Sequence, residues 1–131
     1  MQIQVRYVVN DIETAIAFYC EALGFKLEMH PNSFFAMLSR DQLRLVLSKP
    51  SSISGGGQDL SNGVQQSPGG WNRFAIEVKN LSDIVEELKS RGVHFRNDIV
   101  TGIGVKQIIA EDPSGNPIEL FEPILPEAHL K

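Results

Sequence analysis

Apolar and polar positions alternate over residues 3–9 with a period of two, which predicts a β-strand. Apolar residues then recur at helical spacing as far as Leu23, so an amphipathic helix is expected next. Asn10 and Glu13 have the spacing of a capping box at the start of this helix, and Gly24 suits its end. Three short strands are predicted after the helix, at residues 25–29, 34–38 and 43–48.

The second half of the chain repeats this order of patterns. Alternation before Val78 predicts a strand, and the stripe that follows predicts a helix opened by Asn80 or Ser82 and closed by Gly92. Three more strands are expected, at residues 93–100, 105–110 and 117–122. We therefore predict an α+β fold of two βαβββ modules. Each module leaves one face of its sheet uncovered, so we expect the pair to form a curved mixed sheet, a cup, with the helices on the outer face.

A glycine-rich segment separates the modules. The stretch from Lys49 to Gly70 contains six of the chain's eleven glycines and almost no apolar residues. A segment of this length and composition is usually a linker or a functional lid. The predicted organisation is a single 131-residue domain, divided into module 1 at residues 1–50, a connector at 51–70, module 2 at 71–123 and a tail at 124–131.

Composition narrows the class of partner. The net charge of −4 and the absence of a basic run argue against nucleic acid. No apolar run approaches membrane-spanning length, and a cytoplasmic location is expected. The single Cys20 excludes an intrachain disulfide and a zinc site built from cysteines, so it is interpreted as a partly packed thiol.

The last predicted strand carries one carboxylate on an otherwise apolar segment. Asp112–Asn116 has the composition of a tight turn, in which Gly115 or Asn116 takes a left-handed backbone. In the strand that follows, Glu119 and Phe121 share one face. Glu119 is either a solvated residue on a sheet open to water or a group that points into a cavity.

Two segments resemble the vicinal oxygen chelate superfamily, which contains glyoxalase I, the bleomycin-resistance proteins and the extradiol dioxygenases. Asp11–Tyr19 followed by Leu23-Gly24-Phe25 is similar to its opening motif, and Asp112–Leu120 is similar to its closing motif. The resemblance covers almost the whole chain. It implies the same two-module fold and a small-molecule site in the cup.

Members of this superfamily that hold a metal place four ligands, usually His and Glu, at equivalent strand positions. Motif alignment puts Gln4, Val46, Arg73 and Glu119 at those positions. Valine has no donor atom and arginine cannot ligate, so a divalent metal is disfavoured and no cofactor is expected. The histidines lie away from the aligned positions, at residues 30, 94 and 129.

We predict instead that Arg73 and Glu119 form an ion pair where a metal would otherwise sit. Strand parity places several arginines on the face opposite the helices, and arginine suits carboxylate or phosphate groups. Glu119 is the candidate catalytic group. The candidate ligand-binding residues are Gln4, Arg6, Arg44, Arg73, Trp71 and Phe121.

The leading functional hypothesis is a metal-independent protein that binds a small organic molecule, possibly an anionic one, in the cup. The alternative is a lyase, isomerase or dioxygenase of the same superfamily that uses Glu119 as a general base or metal ligand. The short sheets have edges that need covering, and with the resemblance this predicts a homodimer.

Overall fold

The computed structural model describes residues 2–51 and 56–125. These residues divide into two compact units. The first unit runs to Gly69 and also contains Pro113–Asn116, whereas the second comprises Gly70–Asp112 and continues from Pro117. Part of the predicted connector and most of the predicted tail, including His129, lie outside the described residues.

The first unit is a βαβββ module with one mixed sheet. Its elements are β1 (Gln4–Val8), α1 (Ile12–Ala17), a π-helical turn (Phe18–Ala22), β2 (Lys26–Asn32), β3 (Phe35–Arg40) and β4 (Leu43–Ser48). The strand order is β1-β4-β3-β2, in which β1 runs parallel to β4 and the other pairs are antiparallel.

The second unit repeats this topology. Its sheet has the order β5-β9-β8-β6, with β5 parallel to β9 and a further short strand, β7, paired with β8. The repeat predicted from the sequence is confirmed. The elements are β5 (Ala75–Glu77), α2 (Leu81–Ser90), β6 (His94–Phe95), β7 (Val100–Thr101), β8 (Val105–Glu111) and β9 (Pro117–Pro123).

In each unit the helix covers the apolar face of the sheet. In the first unit, α1 contacts β3 and β4 and buries Ile12 and Ala15. The predicted helix continues to Leu23 only through the π-helical turn, which keeps Tyr19 and Leu23 buried. Gly24 then adopts a φ of 71°, as its predicted place at the helix end requires. The sheet side of this core consists of Tyr7, Val9, Ala36, Leu38, Leu45 and Leu47.

The start of α1 differs from the sequence prediction. The capping box of Asn10 and Glu13 is wrong: Asp11 is the N-cap and accepts the Thr14 N–H at 2.8 Å, while the Asn10 N–H donates to Ser114 Oγ. The hydrogen bonds from Thr14 lower the pKa of Asp11.

At α2 the N-cap is Asn80, one of the two residues predicted, but its φ is 58° and its side chain makes no capping bond. The Glu122 carboxylate on β9 caps the helix instead, accepting the Asn80 and Leu81 N–H groups at 2.9 and 3.1 Å. These backbone hydrogen bonds lower the pKa of Glu122. A carboxylate 42 residues away in sequence thus does what a local side chain was predicted to do.

The single strand predicted at residues 93–100 is also wrong, because two short strands replace it. Arg96 N–H still donates to the Ile109 carbonyl, but the Asn97 side chain then accepts the Ile109 N–H at 2.9 Å. A side-chain acceptor takes the place of the backbone carbonyl here, so the β-ladder is interrupted. No helix among the described residues is long and apolar enough to cross a membrane.

Candidate functional site

The sheet registers test the alignment on which the site prediction rests. In the first unit Arg6 lies opposite Val46 on a parallel strand pair, and in the second unit Ala75 lies opposite Glu119 on the corresponding pair. Val46 and Glu119 are therefore topologically equivalent. Gln4 and Arg73, each two residues earlier, are equivalent as well, as the sequence alignment proposed.

Arg73 and Glu119 form the predicted ion pair within the second unit. The Arg73 Nε and Nη2 atoms lie 3.0 and 2.9 Å from Glu119 Oε1. Their side chains are 29% and 18% exposed, so the pair is largely but not fully withdrawn from water. Arg73 Nη1 also donates to the Trp71 carbonyl at 3.1 Å. The guanidinium is thus held between the sheet and the segment that enters β5.

A second ion pair, which the sequence analysis missed, lies on the same sheet face. Arg96 Nε is 2.6 Å from Glu111 Oε2, and Arg96 Nη1 donates to the Gly70 carbonyl. The Arg96 guanidinium also lies 4.6 Å from the centre of the Trp71 ring, a cation–π contact. The alternation of residues along β8 could have identified Glu111 from the sequence. Ile109 lies opposite Glu119, and Glu111, two residues further on, shares the same sheet face.

Trp71 is therefore held both at its backbone and at its ring. Its carbonyl is bound by Arg73 and one side of its ring faces Arg96, yet the residue is 68% exposed. The predicted neighbour Phe121 is half-buried and lies in register between Glu77 and Gln107. The second unit thus combines an exposed indole with two guanidinium–carboxylate pairs.

The predicted residues of the first unit lie on its sheet face, where no ion pair joins them to any residue that the structure describes. Gln4 is exposed and lies opposite Arg44, whose Nη1 is 3.8 Å from the Met37 sulfur. Arg6 Nη1 donates to the Ser48 hydroxyl, and Arg44 lines a cavity of about 510 Å³. Gln4, Arg6 and Arg44 are therefore on one face of the first unit, and Arg73, Trp71, Phe121 and Glu119 are in the second.

The Asp112–Asn116 turn has a structural role that sequence reasoning did not assign. Asn116 is only 4% exposed; its amide nitrogen donates to the Val8 carbonyl at 2.7 Å and its oxygen accepts the Gly69 N–H at 2.8 Å. Gly115 has the predicted left-handed backbone, with a φ of 87°. The hydrogen bonds of Asn116 therefore hold the turn in place within the first unit.

The donor atoms at the four aligned positions do not fit a metal ion. Val46 is 2% exposed and has no donor, while Arg73 is permanently protonated and occupies one oxygen of Glu119. Within residues 2–51 and 56–125, no group of three or more His, Cys, Asp and Glu side chains is arranged to hold a metal. Of the aligned residues, the first unit therefore offers only Gln4 and the second only Glu119, and one donor residue is fewer than a divalent transition metal requires.

Comparison with known proteins places this geometry in a family. Residues 2–120 match the model of the Glyoxalase/Bleomycin resistance protein/Dioxygenase superfamily. A bleomycin resistance protein from Geobacillus stearothermophilus is 28% identical, covering 88% of this chain and 92% of its own length. A probable chloroplastic lactoylglutathione lyase from Arabidopsis thaliana is also 28% identical, but the match spans 92% of this chain and only 35% of that protein.

Solved structures agree with the sequence comparisons. A superfamily member from Sphaerobacter thermophilus superposes with a TM-score of 0.73 and 25% identity, covering 93% of this chain and 96% of the other. The repeated βαβββ topology, the opening and closing motifs and these matches lead to the same assignment. The chain belongs to the glyoxalase/bleomycin resistance protein/dioxygenase superfamily.

Proposed function

We propose that this protein binds a small organic molecule reversibly and without a metal ion, as a sequestering or resistance protein would. The observation that supports this most directly is the guanidinium of Arg73 on Glu119. It places a fixed positive charge at a position where the family resemblance implies a metal ligand. A cation brought to Glu119 would meet repulsion from this charge and compete with two existing hydrogen bonds.

Trp71 supplies a surface for the ligand. An exposed indole offers a broad apolar face at small entropic cost, because its backbone and one side of its ring are already held. A planar group can stack on it without rearrangement of the two ion pairs. The bleomycin resistance relatives make bleomycin the first ligand to test.

Trp71 also makes the proposal measurable, because it is the only tryptophan in the chain. Titration with bleomycin and then with a panel of small planar aromatic molecules should change its fluorescence in a saturable manner for at least one ligand. Calorimetry on Trp71→Ala should show about tenfold or greater weakening, the loss expected for one stacking aromatic. Ile103→Ala is the matched control, since Ile103 is fully exposed elsewhere in the second unit. Equal affinities for wild type and Trp71→Ala would contradict the proposal.

A lyase or isomerase is the second candidate. Arg73 holds Oε1 of Glu119, and within the described residues no hydrogen bond occupies Oε2. That oxygen can accept a proton from a bound substrate, which is the task of a general base. Turnover of a 2-oxoaldehyde–thiol adduct that is lost in Glu119→Gln would favour the enzyme over the binding protein.

We further propose that the protein is a homodimer and is located in the cytoplasm. Both sheets have edge strands, and β2 exposes Leu27 and Met29 on such an edge. Sedimentation at micromolar concentration should give the mass of two chains, and a monomer would contradict the dimer. Cell fractionation tests the location.

A further inference from the structure

Among the described residues, two of the six arginines differ from the rest in having no acidic partner. Arg40, Arg73, Arg91 and Arg96 each pair with a carboxylate. Within residues 2–51 and 56–125, no carboxylate forms a salt bridge with Arg6 or Arg44. Both belong to the first unit.

These two side chains are neighbours on one sheet face. β1 and β4 are parallel, with Gln4 opposite Arg44 and Arg6 opposite Val46. Residues two apart on a strand share a face, so Arg6 and Arg44 lie diagonally across the strand pair. Diagonal neighbours of this kind are close enough for long side chains to meet on a shared ligand. One ligand group can therefore contact both guanidinium groups.

Among the residues that the structure describes, few hydrogen bonds use the donors of Arg6 and Arg44, although Gly56 lies against the Arg6 guanidinium. A guanidinium has five N–H donors. Arg6 Nη1 uses one on the Ser48 hydroxyl, and Arg44 Nη1 approaches only the Met37 sulfur, a weak acceptor. Val46 and Ser48, which lie beside them, are 2% and 1% exposed, while Arg44 is half-buried and Arg6 is exposed to solvent. Two like charges on one face repel each other unless an anion neutralises them.

The acidic residues near Arg44 are already engaged. Its cavity of about 510 Å³ is also lined by Glu28 and Asp41. Glu28 lies 3.4 Å from the Lys26 ammonium and Asp41 lies 3.5 Å from Arg40. The Ser39 hydroxyl, opposite Arg44 on β3, adds a neutral donor to the same cavity.

We propose that Arg6 and Arg44 together bind a carboxylate or phosphate group of the small molecule. The proposal rests on the function proposed above and specifies it, because it assigns the ligand's negative charge to the first unit. Arg73, which the sequence suggested as a cationic anchor, is already neutralised by Glu119. Planar forks bind such anions through paired, charge-assisted hydrogen bonds, and two forks give four possible contacts.

The test uses two probes, inorganic phosphate and malonate, each titrated at constant ionic strength. The Nε–H signals of Arg6 and Arg44 should shift saturably in NMR spectra with at least one probe. The probe that binds more tightly identifies the phosphate or the carboxylate source. Arg44→Gln and Arg6→Gln should each weaken binding about tenfold or more, because each removes charge-assisted hydrogen bonds.

Arg91→Gln is the control, since it removes an exposed arginine at the C-terminal end of α2. If Arg6→Gln unfolds because Ser48 loses its partner, the affinity of Arg44→Gln for the two probes tests the inference by itself. Unshifted arginine signals with both probes, or equal weakening in Arg91→Gln, would overturn the inference. An organic ligand that binds wild type and Arg44→Gln equally would refute the inference but keep the proposed function. If phosphate or malonate binds but no organic ligand does, the inference would stand and the proposed function would be refuted.

Discussion

Truncating Arg73 to alanine leaves the Glu119 carboxylate without its partner in a largely dry position. The lost contacts are two charge-assisted hydrogen bonds of 3.0 and 2.9 Å to one oxygen. A fully buried charge left alone costs about 3–5 kcal/mol, and a fully exposed pair is worth about 0–1 kcal/mol. Exposures of 29% and 18% put this pair between those limits. We therefore expect Arg73→Ala to lower the free energy of unfolding by about 1–2 kcal/mol.

A double-mutant cycle isolates the pair from the other effects of truncation. The cycle combines Arg73→Ala with Glu119→Ala in urea unfolding, and it should give a coupling energy of about 1–2 kcal/mol. Far-UV circular dichroism is the appropriate signal, because Trp71 contacts Arg73 directly and its fluorescence would respond to the mutation itself. Arg91 and Glu87 provide a control cycle, since their atoms are also 3.0 Å apart but their side chains are 49% and 64% exposed. That coupling should not exceed about 0.5 kcal/mol. Equal couplings in the two cycles would refute the reasoning.

Three further predictions concern the stability and reactivity of the chain. The pKa values of Asp11 and Glu122 are lower in the folded state than their ordinary values of 3.8 and 4.5. The stability that these two carboxylates provide is therefore present above the ordinary pKa values and is lost as the pH falls through the folded-state values. Urea unfolding of Glu122→Gln should show a weaker loss of stability over this range, and an unchanged pH profile would contradict the capping role. Burial and the neighbouring Glu21 raise the pKa of Cys20, so its alkylation at neutral pH should be slower than that of a free thiol; an equal rate would contradict this. Limited proteolysis should cut first within residues 51–70, and early cuts inside α1 or α2 would count against the domain plan.

Most of the fold could be predicted because local patterns determine it. The alternation around Tyr7 and the positive φ of Gly24 are short-range properties, and the order of elements repeats in both halves. The alignment of Glu119 with Val46 followed from that repeat, and the sheet registers agree with it. The Arg73–Glu119 pair could then be anticipated, because the repeat places Arg73 just before β5 and Glu119 on β9, the strand that pairs with β5.

The parts that could not be predicted depend on long-range polar contacts. Glu122 caps α2 from a distant strand, and Asn116 binds the Val8 carbonyl 108 residues away. The sequence around Asn97 looks like part of a strand, but its side chain, and not a backbone carbonyl, accepts the Ile109 N–H of β8. Arg96 had no motif to identify it, because its importance comes from Trp71 and Glu111 together. Such partners become visible only when the chain is folded.

The claim of metal independence is tested most directly by metal content and ligand affinity measured on the same samples. Wild type is exposed to Mn²⁺, Co²⁺, Ni²⁺ and Zn²⁺, freed of excess ions and analysed by mass spectrometry. Arg73→His serves as a sensitivity control, because it replaces the fixed charge with a metal-binding imidazole beside Glu119.

Wild type should retain far less than one ion per chain, and a chelator should leave unchanged the affinity for whichever ligand alters Trp71 fluorescence. Stoichiometric metal in wild type that Glu119→Gln removes, together with loss of ligand binding in the chelator, would contradict the account.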